Sequence, residues 1–442
     1  MATRTTRRRF LRQCHKAAAL GAAVMAGPSA RAAGLGANER VRLAFIGCGI
    51  RHKRQIAAFM EAPHARVVAV CDVNRIRAER ARQLVEDAGG GRPDMEGDFR
   101  RLLDRRDIDA VIVATPEHWK CLITVMACRA GKEVYVEKPL ALTIAEGRTI
   151  VQAAREHKRV VMIGTQQRSM ESYHQAVEFV QSGQLGRVST VRSWTFENRG
   201  SEGYGNPPDG KAPPELDWDL WLGPAPAVPF NPNRFSQFHF FWDYGGGWQC
   251  DWGVHLFDVV HWAMKVDHPL SAVGVGGKFA CRDNTEHPDT FEAVFEYPGF
   301  VSLYSYRHGN DREYEDMWYG NAFFGDKGTL VVNRDGWRVI PQPINTHDAK
   351  GAGGFKMPAV TKPGTPVEGP HQQHFVELVR AGRQPDVGDV ETGHRSTIPG
   401  HLANISFRVG RKVYWDPAAE RIKSDDEANN LLTRPYRAPW HL

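Results

Sequence analysis

The sequence predicts an α/β protein of two domains. The first, residues 40–165, is a doubly wound parallel sheet. The second, residues 166–442, is an α+β domain with an open, mostly antiparallel sheet. Three observations carry this. As far as residue 163, strand-like runs alternate with helical runs of ten or more residues, the pattern of βαβ units. Beyond 165 strand-like runs follow one another without helices between them. About 400 residues lie beyond the first 33, more than one core usually fills.

The elements follow in order. Val41–Ile46 is an apolar run with the look of a buried strand, and Arg54–Met60 a helix. Arg66–Cys71 is a second strand, ended by Asp72, with a helix from about Asn74 to Glu86. Asp109–Ala114, Glu133–Val136 and Val160–Ile163 are strands, separated by helices at His118–Ala130 and Thr143–His157. In the second half Tyr173–Gln181 has helical spacing, and Val188–Glu197 alternates as a strand does. Phe291–Tyr297, Val301–Tyr306 and Thr329–Val332 alternate likewise. Helices are expected near His371–Ala381 and Gly400–Val409, and an irregular tail from Lys412 in which Trp415, Tyr436 and Trp440 dock.

The N-terminus has its own pattern. Thr6-Arg7-Arg8-Arg9-Phe10-Leu11-Arg12 precedes an Ala-rich apolar stretch and a small-residue cleavage site near Ser29–Ala33. It resembles a twin-arginine export signal, which implies a periplasmic or otherwise exported bacterial protein that folds around its cofactor before export. The chain carries a net charge of +6, and residues 1–33 hold seven basic and no acidic side chains, which leaves −1 on the rest. Nucleic acid is therefore not an expected partner, and no run of 18 apolar residues predicts a membrane span. Seven cysteines occur without zinc-finger or Cys-x-x-Cys spacing, so burial as small hydrophobes is expected.

Gly47-Cys48-Gly49 stands between a strand and a helix, with the acidic Asp72 some twenty residues on. This is the setting of a dinucleotide fingerprint: Gly47 permits the tight turn, and Gly49 lets a pyrophosphate approach the backbone at a helix N-terminus. His52 stands where the third glycine would. Asp72 would bind the adenosine ribose hydroxyls and repel a 2′-phosphate, which favours NAD over NADP; Arg75 is the nearby cation that works the other way.

Further motifs lie downstream: Thr115-Pro116-Glu117-His118, Glu137-Lys138-Pro139, and Gly245-Gly246-Gly247-Trp248-Gln249-Cys250-Asp251-Trp252-Gly253-Val254-His255. With Gly47-x-Gly49 they resemble the Gfo/Idh/MocA oxidoreductase family from about residue 40 to the end. The resemblance implies an N-terminal Rossmann domain and an oxidoreductase that moves a hydride between a nicotinamide cofactor and a sugar or polyol. It implies cofactor contacts at Gly47, Gly49, Ile50, Asp72, Thr115, Pro116, His118, Glu137 and Lys138. It implies catalysis by Lys138, Asp251 and His255: His255 as the base, Asp251 orienting it or holding a hydroxyl, Lys138 stabilising alkoxide charge. A cis bond near Pro139 and a homodimer or homotetramer are further expectations. Some relatives instead cleave glycosides by transient oxidation, elimination and re-reduction, which is the alternative activity.

Two other readings attach to these segments. Cys250, Asp251, His255, Asp258 and His261 are potential metal ligands close together, but they lack a zinc-enzyme spacing, so no metal is expected. Residues 199–240 are rich in Gly and Pro and contain Trp218, Trp221, Phe235, Phe238, Phe240 and Phe241; they either wall a sugar site or bury their aromatics structurally. Arg168, Glu197 and Tyr244 are further candidates for substrate contact.

Overall fold

The computed structural model describes residues 39–345, 347 and 353–442; the export-signal reading falls outside them. The first sheet is built from β1 (Val41–Ile46), α1 (His52–Glu61), β2 (Ala65–Cys71), α2 (Arg75–Asp87), β3 (Asp94–Glu96), α3 (Phe99–Leu103), β4 (Ala110–Val113), α4 (Glu117–Arg129), β5 (Glu133–Val136), α5 (Ile144–Glu156) and β6 (Val161–Ile163). The strand order is β3-β2-β1-β4-β5-β6, and all pairs are parallel. Every residue of β4 and β6 is buried, as expected of a sheet covered on both faces. The order reverses between β1 and β4, so the turns after these strands, at Gly47 and Thr115, flank the crevice where such folds bind ligands. Strand β3 escaped the sequence reading because its Asp-Met-Glu carries no apolar run.

The second domain contains α6 (Glu171–Gln181), β7 (Val188–Phe196), a long segment with α7 (Trp218–Leu222) and α8 (Pro232–Ser236), then α9 (Gly247–Asp251) and α10 (Gly253–Met264). It continues through β8 (Ser271–Gly277), β9 (Thr290–Tyr297), β10 (Phe300–Arg307), β11 (Tyr319–Gly325), β12 (Gly328–Asn333), β13 (Gly336–Pro341) and β14 (Val360–Pro363). Helices α11 (Gly369–Ala381) and α12 (Val390–Val409), strands β15 (Val413–Asp416) and β16 (Arg421–Ile422), and α13 (Asp426–Asn430) complete it. The ten strands run β14-β13-β12-β11-β7-β10-β9-β8-β15-β16. Only β7 and β10 pair in parallel. Strand β9 shows the alternation that made it legible: Phe291, Ala293, Phe295 and Tyr297 face the core, while Glu292, Val294 and Glu296 face out.

Two expectations are corrected. The tail from Lys412 is not wholly irregular, because β15 pairs with β8 and buries Trp415. The last long helix begins at Val390 rather than Gly400 and runs through Pro399. It is buried on most sides, so it has no polar face to set up a period of 3.6. Helices α11 and α12 return to the first sheet. His371 Nε2 lies 2.8 Å from the Ile163 carbonyl, the Ile163 amide donates to Gly388 O at 2.8 Å, and Phe375 packs edge-on against Tyr135.

Candidate active site

The nucleotide end is set by the turn after β1. Gly47 has φ +91°, and a Cβ there would lie 2.8 Å from the Ala114 carbonyl and the Thr115 amide nitrogen. Only glycine allows this approach of the β1 and β4 ends. Around Gly49 the space is open, with Arg77 Nη1 the nearest atom to an added Cβ at 3.7 Å. His52, in place of the third glycine, closes the turn through Nδ1 to the Gly49 carbonyl. Asp72 accepts hydrogen bonds from the Cys48 amide at 2.6 Å and the Asn74 amide at 2.8 Å. Burial raises its pKa, against the pull of those two N–H groups and Arg77. Arg75 turns outward to Glu79 at 2.5 Å. Arg77 instead lies over the Phe235 ring, 4.1 Å from its centroid. An open glycine cradle at a helix N-terminus, with a carboxylate at the ribose position, fits a dinucleotide.

A cavity of about 510 Å³ starts at Asp72 and Arg77, passes Gly47, Ile50, Thr115 and Pro116, and ends at Lys138, His239, Asp251 and Trp252. It therefore lies between the parallel sheet and the second domain. Phe235, Phe238 and Trp221 wall it, whereas Trp218, Phe240 and Phe241 pack elsewhere. The aromatic segment thus divides between wall and structure.

Lys138 follows β5 and precedes a cis peptide bond to Pro139. Its Nζ donates to Asp251 Oδ1 at 2.7 Å and to the Asp251 carbonyl at 3.0 Å. Burial alone would raise the Asp251 pKa; Lys138 and then His239 outweigh it and hold the group at about 2. Glu137 points the other way, accepting from Arg51 Nε at 2.8 Å and from Gln55. Burial opposes its ionisation, yet Arg51 holds its pKa below the ordinary value. Lys120 anchors the turn, donating to the carbonyls of Lys138 at 2.9 Å and Pro139 at 2.8 Å. Burial lowers the Lys120 pKa to about 8, with Glu117 and Glu137 opposing.

Of the residues expected in the site, Gly47, Gly49, Ile50, Asp72, Thr115, Pro116, Glu137, Lys138 and Asp251 line this one cavity. His255 does not. A helix boundary at Trp252 separates it from Asp251, so the two do not share one face of a single helix. It is 2% exposed, and burial, with Lys138 and Arg334 adding, pushes its pKa well below the ordinary value. His118 sits behind the wall with Nε2 2.9 Å from the Trp221 carbonyl, and burial lowers it to about 3. Tyr244 packs against Trp221 and His118 and is 1% exposed. Arg168 pairs with the buried Asp258 at 2.8 Å, away from the cavity. Glu197 pairs with Arg199. Arg168 and Glu197 find ion-pair partners within the fold, whereas His118, Tyr244 and His255 are buried outside the cavity lining, the Tyr244 hydroxyl and the His255 Nδ1 without a hydrogen-bond partner.

Four of the five potential metal ligands take separate partners: Cys250 with His401, Asp251 with Lys138, Asp258 with Arg168 and Ser396, and His261 with the Tyr297 hydroxyl. All six described cysteines are free and buried. Among the described residues no helix is long and apolar enough to cross a membrane. Sequence reasoning missed Arg77, Lys120 and His239 as lining residues, whereas Phe235 was among the aromatics it offered as a wall. Lys120 had a signal, since it lies three residues after Glu117 on one helix. His239 had none, because it lies in an irregular segment.

Residues 41–165 match the description "Oxidoreductase family, NAD-binding Rossmann fold" of the Gfo/Idh/MocA group. Residues 177–293 and 358–442 match its C-terminal alpha/beta domain. The chain is 23% identical over 386 residues to scyllo-inositol 2-dehydrogenase (NAD(+)) of Bacillus subtilis, covering 86% of this chain and 97% of that protein. A glycosyl hydrolase family 109 protein of Saccharopolyspora erythraea is 37% identical over 127 residues, a match spanning 28% of either chain. Levoglucosan dehydrogenase in complex with NADH and levoglucosan has the same fold, with a TM-score of 0.64 at 18% identity over 85% of this chain and 99% of that one. The WlbA dehydrogenase from Chromobacterium violaceum, in complex with NADH and UDP-GlcNAcA, superposes with a TM-score of 0.62 at 18% identity over 86% of this chain and 97% of that one. With both of its domains matched in order, the chain belongs to the Gfo/Idh/MocA family of oxidoreductases.

Proposed function

We propose that this chain is an exported oxidoreductase that moves a hydride between a tightly held NAD(H) and a hydroxyl or carbonyl of a sugar or polyol. The observation that carries the reading is the Lys138–Asp251 pair, 2.7 Å apart, at one end of the cavity whose other end is the Gly47–Asp72 cradle. Gly47, Gly49 and Asp72 would hold the dinucleotide, and when bound it supplies the hydride acceptor. The Lys138 ammonium donates to the reacting oxygen and stabilises its developing negative charge. Asp251 holds that ammonium in place and can accept from a neighbouring hydroxyl. Trp252 and Phe238 line the Lys138 end of the cavity and are aromatics of the kind that pack on the apolar faces of a sugar ring. The Bacillus subtilis relative is a scyllo-inositol 2-dehydrogenase, which supports this substrate class.

Export rests on the twin-arginine resemblance of residues 6–12, and tight retention follows from it, since free NAD is scarce outside the cytoplasm. Purifying the exported protein, denaturing it and assaying released nucleotide tests both. An empty protein that also fails to bind NAD in titration ends the proposal. A sugar and polyol panel read by nicotinamide absorbance then identifies the substrate. A second reading, glycoside cleavage by transient oxidation, is favoured by the glycosyl hydrolase family 109 relatives. Release of nitrophenol from nitrophenyl glycosides, dependent on NAD and without net cofactor reduction, would select it. A homodimer or homotetramer is our proposal for the assembly, tested by light scattering.

A further inference from the structure

A second cavity, of about 310 Å³, lies where the segment after β6, the end of α10 and the start of α12 meet. It shares no lining residue with the cofactor cavity. Arg168, His261, Trp262, Lys265, Asp267 and Arg395 are among the side chains that line it. Arg168 engages the buried Asp258 through Nε alone, at 2.9 and 2.8 Å, and among the described residues neither of its Nη groups has an acceptor. Its guanidinium rests against Trp262, 5.2 Å from the ring centroid. Arg395 donates from Nε to Glu391 at 3.0 Å and pairs through Nη1 with Asp267 at 2.5 Å, which leaves its Nη2 unused. Lys265 stands just past α10 with φ +54°. It is exposed and has no ion-pair partner among the described residues. His261 is 6% exposed. Its Nε2 lies 2.8 Å from the Tyr297 hydroxyl, and its Nδ1 is buried with no hydrogen-bond partner.

Unused donors thus converge on this cavity from three elements. The charges decide the sign of the ligand. Asp258 offsets Arg168 and Asp267 offsets Arg395, so Lys265 is left in excess. The C-terminal end of α10 adds about half a negative charge, less than the Lys265 ammonium brings. Burial, followed by Arg168, His268 and Arg395, lowers the His261 pKa to about 3, so that ring is neutral and acts through a single N–H.

We propose that this cavity is a binding site for a tetrahedral oxyanion, a phosphate or sulfate group, separate from the cofactor cavity. The Nη groups of Arg168, Nη2 of Arg395 and Nζ of Lys265 donate to it. The Tyr297 hydroxyl donates to Nε2 of His261, so Nδ1 carries the ring proton and offers it to the anion. Donors that arrive from several directions suit the four oxygens of a tetrahedral ion better than the two of a carboxylate. Because Lys265 is exposed, the cavity opens to solvent there, and the group can arrive free or carried on a small ester.

The test uses the full-length protein, saturated with NADH so that the glycine turn is filled, at constant ionic strength. Titration with inorganic phosphate, against sodium chloride as the reference, should raise Tm saturably, as a ligand of the folded state does. Lys265→Gln and Arg395→Gln should each shift that saturation to phosphate concentrations about tenfold or more higher. Their NADH affinity should stay within about twofold of the parent, which shows that both variants fold. Sulfate should act as phosphate does. Glucose 6-phosphate separates the two sources: binding at least as tight as that of phosphate supports an ester, and its exclusion supports the free ion. A Tm that follows chloride alone overturns the proposal, and so does a phosphate response that both variants keep. Succinate that saturates where phosphate does not overturns the choice of a tetrahedral ion. Phosphate binding that is seen without NADH and lost on adding it places the ion at the glycine turn and also overturns the proposal. If NADH itself does not bind, the oxidoreductase reading fails, and the two variants still decide on this cavity.

Discussion

Lys138 is the residue whose role is most sharply defined by its surroundings. In the proposed reaction its ammonium is the donor to the reacting oxygen, so Lys138→Met should cost about 10²–10³-fold in kcat, with NADH binding measured alongside. Asp251 is part of the same device. Because its folded pKa is depressed to about 2, the stability it lends is complete above the ordinary carboxylate range near 4. It is lost as pH falls from there towards 2, a loss that acid titration of the fold should show and Lys138→Met should abolish. Arg168 makes a contrasting case. Its partner Asp258 is wholly buried, so Arg168→Ala strands a charge and should destabilise by about 3–5 kcal/mol in denaturant titration. Both residues were visible in the sequence, but only Lys138 sat in a motif that located it. Arg168, Glu197 and Tyr244 were singled out by residue type, and type did not reveal that Arg168 has its partner ninety residues away.

The long segment between β7 and α9 walls the cavity. It ties to the nucleotide end through the Arg75 amide to Glu215 O and the Asp217 amide to Val73 O, both 2.9 Å, and through Phe235 beneath Arg77. The C-terminal tail fastens the same segment. The Arg437 amide donates to Pro224 O at 3.0 Å, Arg437 Nη1 pairs with Asp219 at 2.6 Å, and Trp440 packs edge-on against Trp119 at 4.7 Å. The cavity is thus strapped at its adenosine side. Phe235→Ala and Trp440→Ala should each speed NADH release by about three- to tenfold, corresponding to about 0.7–1.4 kcal/mol, as stopped-flow fluorescence would read. Unchanged release would show that the strap does not retain the cofactor. The sequence marked this segment as aromatic and long. It did not reveal which rings face the cavity, because Gly- and Pro-rich backbone has no period to assign faces.

At the scale of the whole molecule, burial of histidine dominates the response to acid. His118, His261 and His287 are lowered to about 3 and His308, His371 and His401 to about 4, each by burial first. A folded pKa below the unfolded value means that the unfolded chain binds more protons in between. Their contribution is therefore intact above about pH 6.5 and is lost as pH falls towards 4–3. Each ring weakens the fold by up to about 1.4 kcal/mol per pH unit in that window, so Tm should be clearly lower at pH 5 than at pH 7.5. Equal values would refute it. The fold class, the order of the longer elements in the first domain, the glycine turn with Asp72 and the motifs that hold Lys138 and Asp251 were legible in local pattern: apolar periodicity, glycine where a turn demands it, and short motifs. The pairing of Lys138 with Asp251, 113 residues apart, was made by the fold. Which histidine meets the cavity was decided only in three dimensions. His255 has the motif and His239 has the opening, because access to solvent depends on how a helix boundary and three glycines pack the second domain against the first, and no spacing along the chain encodes that distance.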